Sequence, residues 1–316
     1  MATQVNVPNN EQNPYRKCLV NAHKVNWDID RDVIRFRELD TDHKYLPDSL
    51  SRVDRLPFMT TAQQRFFSQV QGRSYAGIFG LVERFINAKV LEMGQAHAMG
   101  DQHAVEALVN FSAEELKHQE LFRRVERLAA DRMPPGYALV ADPDEVAAAV
   151  LSKSTWSVLG LTCHIEIFTQ VHYLESIRDN ADLSPLFADV FRCHWLEEAQ
   201  HATLDEMEWQ RVHDGMSAQG VDEAVDDLIE LVAAVDGILQ AQAAADTTYF
   251  LAHCGDEMTD AQRKQVGATM LSAYRWQYIV SGVQVPRFQA ALASKISDAQ
   301  MDRVMQALTP LVENAA

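Results

Sequence analysis

Two short stretches decide the fold: Glu115-Leu116-Lys117-His118 and, 83 residues further on, Glu198-Ala199-Gln200-His201. In an α-helix, residues three apart lie on one face, one turn above the other. The carboxylate and the imidazole of each pair can therefore grip a single metal ion. One such pair says little, because Glu and His are common on solvated helix faces. The flanking residues say more. Phe111, Glu115, His118 and Phe122 follow the 4-3-4 spacing of a buried stripe, and Leu108 continues it. Phe187, Phe191, His194, Glu198 and His201 extend the same rhythm to 4-3-4-3. Ionisable groups stand where a core stripe calls for hydrophobes. Burying a carboxylate without a partner costs on the order of several kcal/mol, and a metal ion is the usual remedy.

Two further glutamates complete the pattern. Glu83 lies on the stripe Phe79, Glu83, Ile86 and Val90, and Glu166 lies among Leu159, Cys163 and Tyr173. Glu83 precedes Glu115 by 32 residues, and Glu166 precedes Glu198 by 32. The chain thus repeats Glu-x31-Glu-x2-His. One Glu from each of two helices, with Glu-x-x-His from each of two others, is the donor pattern of a di-metal carboxylate bundle. Four carboxylates carry a charge of −4, which balances two divalent ions. Oxygen and nitrogen donors suit iron or manganese, and a thiolate-rich zinc site is not suggested. His194, four before Glu198 and seven before His201, shares their helix face. It is either a third imidazole ligand or a hydrogen-bond donor to Glu198.

The rest of the chain reads as helix. Thr60 with Gln63 forms a capping box that opens a helical region to about Gly100, with a break near Gly72. Asp101 caps the next helix, which Met133-Pro134-Pro135-Gly136 stops after Arg132. Asp142-Pro143 restarts the pattern to about Asn180, and Ser184-Pro185 opens a helix ending near Gly215. Further helices are expected from Asp222 to Ala245, from Thr259 (boxed with Gln262) to a kink or end at Pro286, and from Ser297 with Gln300. The first 60 residues read as an arm with one short helix near Asp28 to Arg37. No segment alternates as a strand between turn signals. The expected architecture is one all-α domain over 1–316: an arm (1–60), a ferritin-like four-helix bundle that binds the metals (61–215) and a helical extension (216–316).

Composition narrows the function. The chain has 316 residues, 47% of them hydrophobic, enough for a packed core rather than a disordered chain. Its net charge of −17 argues against a binder of nucleic-acid phosphates, which needs cations to displace counterions. Only 13 glycines and 10 prolines favour long helices over a turn-rich sandwich. Cys18, Cys163, Cys193 and Cys254 form no CxxC pair and read as buried free thiols of a reducing compartment. The polar N-terminus, MATQVNVPNNEQNPYRK, has no apolar signal core, and no apolar run approaches the roughly 18 residues of a membrane span. A cytoplasmic protein with no membrane partner is expected. A homodimer is expected on the prevalence of two-fold assemblies.

The set Glu83, Glu115-x-x-His118, Glu166 and His194-x3-Glu198-x2-His201 resembles the 4-aminobenzoate N-oxygenase family of non-haem di-iron enzymes. That family adds a histidine in the last metal-binding helix to the usual ferritin-like ligands, and His194 matches it. The resemblance covers residues 83 to 201 in detail and the remainder in layout. It implies O2 activation at two irons and oxidation of an arylamine nitrogen, with reducing equivalents from a donor protein or from the substrate. Ribonucleotide reductase small subunits share the basic set but carry a radical-forming tyrosine four residues after the first His, where this chain has Phe122. Acyl-carrier-protein desaturases share the doubled acid of Glu114-Glu115 and Glu197-Glu198 but lack the extra histidine. Two alternatives stay open: a ferritin-like desaturase or hydroxylase, and a metal-binding redox-protective protein with no organic substrate. An apolar pocket beside the metals would mark an oxygenase, and an acidic ion path a storage protein. His97, His103, His164, His172, His213 and His253 read as surface or packing residues. Tyr274, Trp276 and Tyr278 read as core.

Overall fold

The computed structural model describes residues 12–255 and 257–315, so the first eleven residues of the expected arm lie outside the described chain. Among the described residues there are twelve α-helices, no strand, and one isolated bridge between Lys44 and Leu183. The helices are α1 (Pro14–Ala22), α2 (Asp48–Ser51), α3 (Thr61–His97), α4 (Gln102–Arg132), α5 (Pro143–Leu151) and α6 (Thr155–His172). They continue with α7 (Pro185–Asp214), α8 (Ala218–His253), α9 (Asp260–Arg275), α10 (Ser281–Val283), α11 (Pro286–Ala293) and α12 (Asp298–Ala315). The architecture is the expected all-α bundle. α3 packs along α4 and α6 along α7, while contacts of α4 with α7 and of α3 with α6 close the four into one core.

The caps act where the sequence places them. Thr60 and Gln63 form the reciprocal capping box of α3, and Thr259 and Gln262 form that of α9. The Asp101 carboxylate accepts from His103 and Ala104 N–H groups, and that of Asp142 from Asp144 and Glu145. Gly136, with φ +100°, turns the chain after Pro134-Pro135 in a conformation L side chains resist.

Several expectations need correction. α3 runs unbroken through Gly72, because that glycine serves a close approach: a β-carbon there would collide with that of Tyr45 on the arm. The pattern from Pro143 to Asn180 is two helices. Ser154 caps the second, accepting from the Ser157 N–H, while its own N–H goes to the Asp227 carboxylate. α6 then widens into a π-turn at Tyr173–Ile177. The short arm helix is itself a π-turn, Ile29–Ile34, capped by Asp28 and ended by left-handed Arg35 and Phe36. The arm also forms α1, whose cap Asn13 and first-turn Pro14 are a start signal the reading passed over. α8 outruns both expected ends and contains an 18-residue window of mean hydropathy 1.4, so one helix does reach membrane-spanning length and apolarity. It packs against α9, α6 and α3. The helical run from Asp260 does end just ahead of Pro286, at Val283, after a π-turn at Trp276–Val280 and α10, and Pro286 is the first residue of α11.

Candidate metal centre

The four long helices bring the seven expected residues to one place. α3 supplies Glu83, α4 Glu115 and His118, α6 Glu166, and α7 His194, Glu198 and His201, each at most 3% exposed. His118 Nδ1 lies 3.1 Å from Glu198, 3.7 Å from Glu115 and 3.8 Å from Glu83. His194 Nε2 lies 3.0 Å from Glu83 and 2.7 Å from Glu198. His201 Nδ1 lies 3.0 Å from Glu115 and 3.1 Å from Glu198. Two overlapping groups of four converge closely enough to hold an ion: Glu83, His118, His194 and Glu198, and Glu115, His118, Glu198 and His201. An imidazole nitrogen serves one ion whereas a carboxylate can span two, so Glu198, shared by both groups, is suited to lie between. Glu166 borders the same small hollow as Glu83, His194 and Glu198.

The donor chemistry fits two cations. Glu83 Oε2, both oxygens of Glu115, His118 Nδ1, Glu166 Oε2 and Glu198 Oε1 are buried without a hydrogen-bond partner. Lone pairs facing one another in an apolar core repel unless a proton or a metal lies between them. Without metal, protons take that place. Burial, opposed by the His194 hydrogen bond, pushes Glu83 up to about 8. Burial and the neighbouring Glu198 hold Glu166 well above the ordinary carboxylate range. Burial works against charge on His118 and His201, but the hydrogen bonds that surrounding glutamates accept and, above all at His201, the charge of Glu198 outweigh it and raise both imidazoles. Burial would raise Glu198 too, yet His194 and His201 draw it well below its usual range.

A second tier of residues, absent from the sequence-based site, fixes the two motif imidazoles. His118 Nε2 donates to Glu197 at 2.8 Å, and His201 Nε2 donates to Glu114 at 3.0 Å. Each motif's first acid thus orients the other motif's histidine, with Nδ1 turned inward. The doubled acids Glu114-Glu115 and Glu197-Glu198 were the visible signal. Lys117 pairs with Glu197 and lies over the Trp27 ring, which stacks on His118 with centroids 5.8 Å apart. Asp205, four residues past His201 on the same stripe, is buried and pushed up to about 8 by desolvation.

The other histidines lie outside the metal groups. His97 pairs with Glu208, His164 bonds the Ile279 carbonyl, and His172 bonds Tyr75 and Ser281. Tyr274 and Tyr278 are both core; Tyr274 is bonded to Asp246, and Tyr278 also lines the wall of two cavities. The four cysteines are free thiols, three buried and Cys254 half-buried.

No protein-family model and no curated protein matches the chain. Solved structures do. A mutant R2-like ligand-binding oxidase with aerobically reconstituted Mn/Fe cofactor is 16% identical, covering 84% of this chain and 94% of its own, with a TM-score of 0.47. A second mutant of that oxidase, with anaerobically reconstituted Mn/Fe cofactor, gives 16%, 84%, 94% and 0.48 for the same measures. The oxidase after a long soak with aerobically reconstituted cofactor gives 15%, 87%, 96% and 0.43.

Proposed function

We propose that the chain is a di-metal oxygenase that activates O2 and oxidises a small organic substrate, with N-oxygenation of an arylamine or another amine as the favoured reaction. The observation that carries the oxygenase reading is a cavity of about 330 Å³ between α3, α5, α6 and α8. It shares Phe79, Val82 and Ile165 with the hollow at Glu83, Glu166, His194 and Glu198. Its wall is aliphatic and aromatic; Glu145, Lys153 and Glu230 are its charged residues. An apolar chamber against the His194 side suits an organic substrate better than passing ions. The amine preference rests on the ligand resemblance centred on His194.

Glu83, Glu115, Glu166, Glu198, His118, His194 and His201 would hold two iron or manganese ions. Bound there, the metals supply the binding and reduction of O2. Glu114 and Glu197 keep the imidazole Nδ1 atoms aimed inward. Phe79, Ile165 and Phe168 keep water off the substrate side. Two reducing equivalents come from a donor protein or from the substrate.

A second reading, a desaturase or hydroxylase of a longer apolar substrate, is favoured by one feature. A neighbouring cavity of about 230 Å³ shares the wall residues Leu161, Val235 and Tyr278 and runs toward α11 and α12. The test is iron loading, reduction and O2 exposure with a panel of arylamines and medium-chain lipids. We expect about two irons per chain, in line with the bundle's ligand set, and oxidised amine as product. Ile165→Trp, which fills the chamber, should cut product at least tenfold with iron content unchanged. Iron binding without oxidation of any panel member would remove the oxygenase reading.

A further inference from the structure

α3 carries Tyr75, Phe79 and Glu83 at successive four-residue steps, so a tyrosine stands two turns above a metal-facing carboxylate on one stripe. Tyr75 is 1% exposed, and its hydroxyl meets His172 Nδ1 at 2.7 Å. His172, the last residue of α6, meets Ser281 Oγ through Nε2 at 2.8 Å, and Ser281 donates to the Gln277 carbonyl. One proton arrangement satisfies all three contacts. Ser281 spends its hydrogen on Gln277, so it accepts from His172 Nε2–H. His172 Nδ1 is then the bare nitrogen that accepts from the Tyr75 hydroxyl. A phenol whose proton already points at a neutral imidazole can lose an electron without being left as a buried cation radical.

The path to the metal cluster is aromatic throughout. The Tyr75 and Phe79 ring centroids are 4.7 Å apart, and those of Phe79 and His194 5.4 Å. A parallel route passes through Phe191, 5.0 Å from Tyr75 and 6.3 Å from His194. Tyr278 also lies near, 5.8 Å from Tyr75, but its buried hydroxyl has no hydrogen-bond partner to take a proton. Tyr75 is thus the tyrosine beside the cluster that has both an aromatic route and a proton acceptor.

We propose that Tyr75 and His172 form a redox-active pair that drains an oxidising equivalent from the metal centre when the substrate cavity is empty. The proposal rests on O2 activation at the cluster. In the step, Tyr75 loses one electron, which the oxidised centre would accept. The phenolic O–H bond breaks, its proton bonds to His172 Nδ1, and the products are a neutral phenoxyl radical and an imidazolium still bonded to Ser281. Burial, with His164 close by, pushes the His172 imidazole down to about 3. Protonating it is therefore costly, so the pair yields only to a strong oxidant and does not compete with an easily oxidised substrate.

The test uses the full chain loaded with ferrous iron, reduced, mixed with O2 in the absence of any organic substrate, and freeze-quenched for electron paramagnetic resonance. The wild-type chain should give a free-radical signal that narrows when the protein is made with ring-deuterated tyrosine. Tyr75→Phe should lose it with iron content and helical circular dichroism unchanged, while Tyr278→Phe keeps it. His172→Gln, which can accept the hydrogen bond but is no base, should lower the radical yield at least tenfold. Persistence of the same signal in Tyr75→Phe overturns the proposal. So does O2 uptake by the wild-type chain with no tyrosine signal. Failure of the iron-loaded chain to consume O2 overturns both this proposal and the oxygenase reading.

Discussion

The two halves of the bundle carry the same ligand spacing and wear different coats. In the first half, α3 and α4 present Glu83, Glu115 and His118, and the arm closes over them. Trp27 stacks on His118, Lys117 sits over Trp27, and Glu197 ties the lysine to the imidazole. In the second half, α6 and α7 present Glu166, His194, Glu198 and His201, and the C-terminal helices cover α6 while leaving two apolar cavities. One side of the cluster is sealed by charge and stacking; the other opens onto hydrocarbon. A repeated motif builds a donor set that is symmetric but for His194, and what packs around each copy decides where substrate can approach.

The comparison breaks most completely at Glu198, the carboxylate that reaches all three imidazoles. Glu198→Ala removes the one carboxylate shared by both candidate ion positions, and iron content after reconstitution should fall from about two per chain, the bundle's capacity, to near zero. Metal analysis after desalting checks it. Retention of both irons would mean that the two halves bind independently. Proton balance gives the next largest effect. Glu83 and Asp205, both pushed up to about 8, bind protons in the folded metal-free chain that the unfolded chain has released above its ordinary carboxylate range. The raised His118, His194 and His201 also hold protons more tightly when folded. The folded state therefore binds more protons from mildly acidic to mildly alkaline pH, and its stability falls as pH rises. Glu198, held low, adds stability already present across that window and does not reverse the slope. The metal-free chain should melt several degrees lower at pH 8 than at pH 6. Ferrous iron should release protons on binding, read with a pH indicator in weak buffer, and flatten the slope. A metal-free melting temperature that climbs with pH would contradict the proton placement.

The long helices and the metal-facing stripes were legible because each rests on local signals. Caps at Thr60, Asp101, Asp142 and Thr259 and the 4-3-4 spacing need no knowledge of the partner helix. What escaped depends on partners far along the chain. Gly72 reads as a helix breaker until Tyr45 is placed against it. Glu114 and Glu197 stand outside the expected ligand set, and nothing local gives them a role, because their partners lie 87 and 79 residues away on the opposite motif.

Those two acids also sharpen the comparison of the halves. They do the same job across the repeat: each accepts an imidazole Nε2–H and so orients a histidine. Removing such an acceptor weakens metal binding by roughly tenfold to a hundredfold. Their settings differ. The Glu197 side chain is 1% exposed and also holds Lys117; despite burial, His118 first and Lys117 after it keep the carboxyl below its usual range. The Glu114 side chain is 10% exposed and has His201 as its ion-pair partner. In Glu197→Gln the buried amide still accepts from His118, but it no longer offsets the Lys117 charge next to the cluster. That leaves a cation close to where two more must bind. Competition with a chelator should therefore place Glu197→Gln near the upper end of that range and Glu114→Gln near the lower. The double variant Lys117→Met with Glu197→Gln should recover part of the loss. Equal losses in the two single variants would show that the Lys117 charge adds nothing to the loss, and that the sealed side of the cluster is no more sensitive to charge than the side facing the cavities.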